Sequence, residues 1–256
     1  MKETILITGA SGGIGEVFAR EYAKLGQNLV LVARSEIRLN QIASELTEKF
    51  GIHVKVIPLD LSELNSAERL FNECTEAGIQ VNVLINNAGF GLFGKFVDLD
   101  PKRLEEMMLL NMVSLSKLCR LFLPSMIGKQ SGGVINVAST AAFQGIPFFA
   151  TYAATKAYVL HLTEALHFEL KGTPVEVMAL CPGPTQTDFF KSAGRGSFGY
   201  LQTPEAVVEA ALQGFRLGKA NVVSGMTNKV TSTLVRFAPR AWVTGAAAKL
   251  LERGSK

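Results

Sequence analysis

The sequence predicts a single-domain α/β protein in which a doubly wound parallel β-sheet carries helices on both faces. Short apolar runs such as Asn28–Ala33 alternate along the chain with longer helical patterns, the order expected of βαβ units. These runs are continuously apolar, as strands buried on both faces of a parallel sheet are. The chain has 256 residues, 48% hydrophobic and 19% charged, which is sufficient for one sizeable core.

The overall composition argues against several classes of protein. The formal net charge is only +4 and no basic run is interleaved with aromatic residues, so no nucleic-acid partner is expected. The chain opens directly into a strand, and no apolar run reaches the length that spans a bilayer. The three histidines lack ligand companions, so no metal site is predicted. The cysteines Cys74, Cys119 and Cys181 are widely separated, which predicts reduced thiols and a cytoplasmic location.

A glycine-rich turn between the first predicted strand and the first predicted helix is the candidate site for a dinucleotide pyrophosphate. The strand covers Thr4–Ile7, and the helix follows from Glu16. Glycines let the backbone turn tightly and approach a phosphate, and a helix amino terminus directs its N–H groups at that anion. An ordinary glycine-rich loop is the alternative. The candidate contacts are Gly9, Ser11, Gly12, Gly13, Ile14 and Gly15.

The residue that follows the second strand favours NADP(H) over NAD(H). Dinucleotide folds that prefer NAD place an acidic residue there on the ribose 2′-hydroxyl, whereas this chain has Arg34 after Asn28–Ala33. A guanidinium suits a 2′-phosphate. NAD(H) is the alternative cofactor, because Glu36 lies close by and Arg34 is also compatible with a solvated residue at the start of a helix.

A candidate adenine contact follows the third predicted strand, Val54–Leu59. Asp60 and Leu61 come at the carboxyl end of that strand, where ligands of open α/β sheets bind. The alternative is that Asp60 or Ser62 caps the next helix, which is predicted to end at Gly78.

Further candidates follow the fourth strand, Val81–Ile85. Asn87, Ala88 and Gly89 form a turn at its carboxyl end, next to the expected cofactor. The long helix that comes next carries Asn111 among apolar neighbours, at a cost in helix propensity. Asn111 is interpreted either as a satisfied core amide or as a residue that holds a water.

A tyrosine and a lysine form the candidate catalytic pair. Tyr152 and Lys156 are four positions apart in a run of helix formers, so they share one helix face. Lowering the pKa of a phenol by about three units takes roughly 4 kcal/mol. One ammonium at about 4 Å, with an effective dielectric constant near about 20, supplies that much. Ser139 ends the strand Val134–Ala138, where its hydroxyl is expected to bond a substrate carbonyl. The alternative is a tyrosine and a lysine that merely share a helix face.

A sixth strand, Val175–Leu180, leads into the last group of candidate cofactor contacts. Pro182, Gly183, Thr185 and Thr187 belong to the turn that follows this strand. The turn lies at the same edge of the predicted sheet as the glycine-rich turn, which places these residues beside the cofactor.

The remaining residues predict a lid and a terminal extension. Residues 189–199 mix aromatics with glycines, which is typical of a movable lid. A helix from Pro204 and a short strand at Asn221–Val223 complete a catalytic domain of residues 1–225. Residues 226–256 form a basic amphipathic extension, expected to pack over the substrate site or a partner subunit. Contact with an anionic membrane surface is the alternative.

The order of these motifs resembles the short-chain dehydrogenase/reductase family over residues 2 to about 225. Thr8–Gly15 is similar to the family's cofactor turn, Asn86–Gly89 to its motif after the fourth strand, and Pro182 with Gly183 to its turn after the sixth. The resemblance implies a Rossmann-type fold of about seven parallel strands. It also implies a homodimeric or homotetrameric oxidoreductase that acts on ketones or alcohols with a nicotinamide cofactor. The catalytic positions that it implies are Asn111, Ser139, Tyr152 and Lys156.

The same resemblance implies a role for each of these residues. Ser139 and Tyr152 would hold the substrate oxygen, and Tyr152 would supply the proton as general acid. Lys156 would lower the pKa of that tyrosine and bind the nicotinamide ribose. Asn111 would link Lys156 to solvent through a water, and Thr187 would contact the nicotinamide amide.

A mostly apolar pocket lining indicates the class of substrate. No fixed cation is present to hold a small carboxylate, so reduction of a hydrophobic ketone or aldehyde, including one on an acyl chain, is expected. A nucleotide-sensing regulatory protein and a membrane-surface reductase of lipid ketones are the alternatives. The expected substrate contacts are Ala141, Phe143, Phe149 and Phe189, together with Phe148, residues 91–96 and the lid.

Overall fold

Among residues 2–194 and 201–253, which the computed structural model describes, seven parallel strands form one sheet in the order β3-β2-β1-β4-β5-β6-β7. At its centre Ile5 pairs with Leu29 on one side and with Val83 on the other. The predicted doubly wound, Rossmann-type sheet is confirmed. The strands are β1 (Thr4–Thr8), β2 (Asn28–Ala33), β3 (Val54–Pro58), β4 (Val83–Asn86), β5 (Gly133–Val137), β6 (Glu176–Cys181) and β7 (Asn221–Val223).

Helices connect the strands, and α2 shows how residues at both ends of a helix cap it. At the start of α2 the Ser35 hydroxyl accepts a hydrogen bond from the N–H of Arg38, and Gly51 follows the helix with a φ of 62°, the conformation that favours glycine. The helices are α1 (Gly13–Lys24), α2 (Glu36–Phe50), α3 (Ser66–Glu76), α4 (Pro101–Met108), α5 (Leu115–Lys129), α6 (Ala150–Glu169), α7 (Phe189–Ser192), α8 (Pro204–Arg216), α9 (Met226–Leu234) and α10 (Arg240–Arg253).

The sheet separates two apolar core layers. Successive strand residues point to opposite faces, so Leu6 lies in the layer that contains Phe122 of α5, and Ile7 lies in the layer that contains Phe18 of α1. Both strand residues are fully buried. This two-sided burial explains the continuous apolar runs in the central strands, such as Ile5–Ile7 of β1.

A π-helical segment, Leu109–Ser114, joins α4 to α5, where the sequence predicts one uninterrupted helix. By length and composition the whole run Pro101–Lys129 is long enough to cross a membrane, contrary to the sequence prediction. Leu118 and Phe122 of this run are buried against the sheet, so the run packs as a core helix.

The chain after β7 folds back over the carboxyl edge of the sheet. α9 begins at Met226, next to the predicted domain boundary, and packs beside a 3₁₀ turn, Thr140–Phe143. The amino-terminal part of the predicted lid forms the short helix α7, whereas its residues 195–200 lie outside the described residues. The site residues therefore lie between the strand ends below and the carboxyl-terminal helices above.

Candidate active site

A cavity of about 890 Å³ lies at the carboxyl ends of the central strands. It brings together most of the predicted contacts, which come from the turns after β1, β2, β4, β5 and β6 and from α6. The predicted cofactor and catalytic residues that line it are Gly9, Ser11, Gly12, Gly13, Ile14, Arg34, Asn87, Ala88, Gly89, Ser139, Tyr152, Lys156, Pro182, Gly183, Thr185 and Thr187. The predicted substrate contacts Ala141, Phe143, Phe149 and Phe189 line it as well.

The glycine-rich turn is fitted closely to its neighbours and open only toward the cavity. Gly9 has a φ of +66°, and a Cβ there would lie 2.8 Å from Nδ2 of Asn87. A Cβ at Gly15 would clash with the carbonyl of Gly9, so Gly15 serves the packing of α1 on β1 and does not line the cavity. Nothing lies within 4 Å of a Cβ position at Gly12. The amino terminus of α1 is thus exposed to the cavity at Gly12.

Thr8 ties this turn to the end of β4. Its Oγ1 accepts hydrogen bonds from the N–H groups of Asn87 and Ala88, both at 3.0 Å. The amide Nδ2 of Asn87 donates to the carbonyls of Thr8 and Gly9, at 3.0 and 3.1 Å. These four bonds hold the turn after β1 against the turn after β4. The strand order of the sheet reverses between these two strands.

Arg34 reaches the cavity, but Asp60 and Leu61 do not. The Arg34 side chain is 72% exposed and lies 3.8 Å from the Asp60 carboxylate. That carboxylate accepts hydrogen bonds from the N–H and the hydroxyl of Ser62, at 2.9 and 2.6 Å. Leu61 is buried, and its carbonyl accepts from the hydroxyl of Ser114. Asp60 and Leu61 thus take part in structural bonds of the turn after β3, and the adenine contact expected of them stays a prediction.

Asn111 lies in the π segment, fully buried, and its amide is committed to structural hydrogen bonds. Its Oδ1 accepts from the N–H of Phe90 at 3.2 Å, and its Nδ2 donates to the carbonyl of Phe90 at 3.0 Å and to Oγ1 of Thr155 at 3.1 Å. Asn111 does not line the cavity. The satisfied core amide, one of the two interpretations from the sequence, describes these bonds, and the water link expected of Asn111 stays a prediction.

Ser139, Tyr152 and Lys156 meet between β5 and the first turns of α6. The Ser139 hydroxyl follows β5 and accepts from the N–H of Ala141 at 3.1 Å. The Lys156 ammonium donates to the carbonyl of Val137 at 2.7 Å and lies 5.9 Å from the centre of the Tyr152 ring. The four-residue spacing thus brings the phenol ring and the ammonium to one side of α6, as predicted.

The pKa of Tyr152 moves in the direction opposite to the one expected. Burial raises this pKa to about 12, against a smaller lowering by the Ser139 hydroxyl. Burial also lowers the pKa of Lys156 to about 8. Removal of the phenol from water is the largest effect on the pKa of Tyr152, and the lowering expected from Lys156 stays a prediction. At neutral pH the tyrosine is protonated and the lysine is charged.

Aromatic rings form the wall around Tyr152. Its ring centre lies 5.1 Å from that of Phe189 and 5.8 Å from that of Phe149. Phe93 packs behind Phe149 at 5.1 Å. A Cβ at Gly91 would lie 2.9 Å from Phe189. Residues 91–96 and Phe148, which were expected to line the cavity, are absent from its wall.

The carboxyl-terminal helices complete the wall, and sequence reasoning did not identify their lining residues. Thr231 and Val235 line the cavity from the α9 side, and Val243 and Ala247 line it from α10. Gly183 lacks a Cβ that would clash with Asn228, so α9 packs directly on the turn after β6. The lining face mixes Thr231 and Ala247 with two valines, whereas larger apolar side chains such as Leu234 and Trp242 are exposed, so the apolar pattern did not indicate which face is inward.

Comparisons with known proteins agree with this geometry. The profile described as short chain dehydrogenase matches residues 3–197. The very-long-chain 3-oxoacyl-CoA reductase of Anas platyrhynchos is 34% identical over 212 residues, which cover 81% of this chain and 67% of that protein. The corresponding Bos taurus protein is 33% identical over 70% of this chain, and the match covers only 58% of that protein.

Two bacterial proteins are similar over more of their length. The 7beta-hydroxysteroid dehydrogenase of Collinsella aerofaciens is 33% identical, over 88% of this chain and 86% of that protein. A solved short-chain dehydrogenase from Sphingobium yanoikuyae, in complex with NADPH, has a TM-score of 0.82 and 32% identity, over 86% of this chain and 87% of that one. The chain therefore belongs to the short-chain dehydrogenase/reductase family.

Proposed function

We propose that this protein is an NADP(H)-dependent oxidoreductase that reduces a hydrophobic ketone or aldehyde to an alcohol. One observation carries the proposal: Ser139, Tyr152 and Lys156 line the same cavity as the open glycine-rich turn, and the rest of that cavity is largely apolar. The proton donor Tyr152 thus lies in the same cavity as the turn proposed to bind the dinucleotide. The assembly is proposed to be a cytoplasmic homodimer or homotetramer.

The residues present fit a nicotinamide dinucleotide. The amino terminus of α1 is open at Gly12, where backbone N–H groups and the helix dipole favour a pyrophosphate. Arg34, exposed beside the cavity, is the cation for a 2′-phosphate, which supports NADP(H) over NAD(H). The bound NADPH of the Sphingobium relative agrees with this preference. When bound, the nicotinamide supplies hydride to the carbonyl carbon.

Tyr152 acts as the general acid in this proposal. The hydroxyls of Ser139 and Tyr152 hydrogen-bond the carbonyl oxygen, and Tyr152 donates its proton as negative charge develops there. Because its pKa is about 12 in the protein by itself, the tyrosine enters the reaction protonated. The Lys156 ammonium then stabilises the phenolate that remains. Lys156 also remains available to bind ribose hydroxyls.

The substrate is proposed to be bulky and apolar. Phe143, Phe149 and Phe189 contribute aromatic surface, and Val235 and Val243 contribute aliphatic surface from the opposite wall. Relatives named for 3-oxoacyl-CoA and for 7beta-hydroxysteroid substrates agree with a large hydrophobic group beside the reacting carbonyl. A lipid ketone therefore fits within the same proposal.

Oxidation of NADPH with a panel of ketones and aldehydes tests the proposal. We expect turnover with bulky apolar ketones and a loss of about 10²-fold or more in kcat for Tyr152→Phe, since the variant lacks the acidic proton. Tyr158→Phe is the matched control, because Tyr158 lies on the same helix with its hydroxyl on Ser116, outside the cavity. Undiminished activity of Tyr152→Phe would refute the mechanism.

A further inference from the structure

The outward side of α9 carries an apolar stripe with no partner in the described structure. Met226, Val230 and Leu234 recur every four residues and are exposed, so they lie on one helix face. Thr231 and Val235, on the opposite face, line the cavity. The helix therefore covers the cavity with its small and polar side and presents its apolar side outward.

The connection to α10 extends this stripe with two aromatic rings. Phe237, in the turn between the helices, is 84% exposed, and Trp242, in the first turn of α10, is 75% exposed. We call Met226, Val230, Leu234, Phe237 and Trp242 the outer apolar patch. Amphipathic helices that lie on a membrane carry Trp, Phe and Leu on the face that enters the boundary between lipid headgroups and acyl chains.

The charges around the outer apolar patch are all positive. Between residues 226 and 251 the sequence contains four cationic residues and no Asp or Glu, although the whole chain has a net charge of only +4. In the part of the chain that the structure describes, none of the ion pairs involves these four cations. They are Lys229, Arg236, Arg240 and Lys249. Arg236 lies over the ring of Phe143 at 5.6 Å but has no carboxylate partner in the described ranges. An apolar patch bordered by cations that make no ion pairs among the described residues is complementary to anionic lipid.

The cavity borders this surface at Leu250. This residue lines the cavity and is also 68% exposed, so it lies at the rim between the substrate space and the outside. Ala246, on the same face of α10 one turn earlier, lines the cavity as well. An apolar substrate that leaves a lipid surface at this rim would meet apolar side chains on its way toward Tyr152.

We propose that the outer apolar patch docks the protein on an anionic phospholipid bilayer, with α9 and α10 lying in the headgroup region and the Leu250 rim facing the lipid. The patch and its cations bind the membrane together, as two weak signals that are each insufficient alone. A second copy of this chain is the competing occupant. It is disfavoured because two such surfaces facing each other would bring like charges together.

Trp242 provides a direct test, because it is the single tryptophan of the sequence. Its emission is measured in the full-length protein with vesicles of phosphatidylglycerol and phosphatidylcholine in equal parts, and with phosphatidylcholine alone. We expect a shift to shorter wavelength with the anionic vesicles only. We also expect quenching by lipids brominated on the acyl chains, and release at high salt.

Two double lysine variants test whether vesicle binding depends on this surface or only on the net positive charge of the protein. One changes lysines beside the outer apolar patch, and the other changes lysines far from it. Lys229→Glu/Lys249→Glu is expected to weaken vesicle binding by about 25-fold or more, about fivefold for each lost cation, with the two added carboxylates acting in the same direction. Lys129→Glu/Lys171→Glu makes the same change in net charge near the carboxyl ends of α5 and α6. These helix ends lie at the opposite edge of the sheet, because the helices run antiparallel to the strands. This control is expected to bind like the unaltered protein.

Three outcomes would overturn the proposal: an emission that lipid does not change, equal binding by both lysine pairs, or a shift that follows protein concentration without lipid. The last would show that a second copy covers the patch. Tyr152→Phe is expected to bind vesicles normally, since Tyr152 lies inside the cavity. Vesicle binding and the proposed catalysis can therefore fail independently of each other.

Discussion

Nδ2 of Asn111 donates a 3.1 Å hydrogen bond to Oγ1 of Thr155, the residue before Lys156. The Thr155 hydroxyl donates in turn to the carbonyl of Tyr152 at 2.8 Å. Because the same amide also holds the N–H and the carbonyl of Phe90, one side chain fixes the loop after β4 against the turn of α6 that carries both candidate catalytic residues. A π segment commonly marks a functional site. Here it places the Asn111 amide between the loop after β4 and α6.

Replacing Thr155 by valine tests this arrangement. Thr155→Val keeps the shape but leaves a buried amide N–H of Asn111 without an acceptor. We expect a loss of about 1–3 kcal/mol in the free energy of unfolding, measured by urea denaturation, and a lower kcat with little change in KM. Thr155→Ser keeps the hydroxyl and is expected to lose no more than about 0.8 kcal/mol, the contribution of one buried methyl group. Equal losses in the two variants would show that the hydrogen bond is unimportant.

The pH dependence of ketone reduction is expected to follow Lys156. Burial lowers the pKa of Lys156 from 10.5 to about 8, so its positive charge is lost as pH rises through about 8. Tyr152, with a pKa of about 12, stays protonated over the same range. Loss of the ammonium removes the charge that stabilises the phenolate, so kcat/KM measured in steady-state assays is expected to fall above pH about 8. That parameter reports the free enzyme.

Lys156→Arg is the control for this profile. A guanidinium stays charged throughout this range, so the decline near pH 8 is expected to disappear even where the variant is slower overall. A decline that persists unchanged in Lys156→Arg would assign it to another group. A flat profile of the unaltered protein past pH 8 would contradict the role given to the ammonium.

The sequence was most informative where one local pattern decides the structure. The bounds of β2, Asn28–Ala33, were predicted without error, because Leu29–Ala33 is continuously apolar and is followed by the charged Arg34. The spacing of Tyr152 and Lys156 was sufficient to place both on one side of α6. The glycine-rich turn was recognisable because each close approach there excludes a Cβ, which restricts the residue types allowed.

The remaining features depend on contacts between distant parts of the chain. Nothing local indicates that Asn111 bonds Phe90 and Thr155, which are 21 and 44 positions away. The pKa of Tyr152 depends on how completely the fold removes the phenol from water, and this loss of hydration was omitted from the Coulomb estimate. The helical pattern of α9 was visible, but an apolar stripe is ordinarily assigned to the core side, whereas Val230 and Leu234 are exposed.

Arg34 is expected to decide the cofactor preference. Its guanidinium is 72% exposed and paired only at 3.8 Å with Asp60, so it is available to a 2′-phosphate at little cost. Arg34→Asp is expected to weaken NADPH binding about 10- to 100-fold, the equivalent of one charge-assisted hydrogen bond, and to change NADH binding little. Dissociation constants from cofactor fluorescence give the comparison. Arg69→Asp, at an exposed site paired with Glu63, is the control, and an unchanged preference in Arg34→Asp would refute the role given to Arg34.

The wall formed by α10 is expected to set the size of the substrate. Ala247 lines the cavity, so Ala247→Phe fills space that a bulky ketone would occupy and leaves Tyr152 and the glycine-rich turn unaltered. We expect kcat/KM for bulky ketones to fall about 10- to 200-fold, the range for a mismatch in an apolar pocket, while small aldehydes lose less than about threefold. Ala241→Phe adds the same ring to an exposed position of α10 outside the cavity and is expected to change neither value. Equal losses for large and small substrates would show that the added ring disturbs the catalytic residues and that α10 does not form the substrate wall.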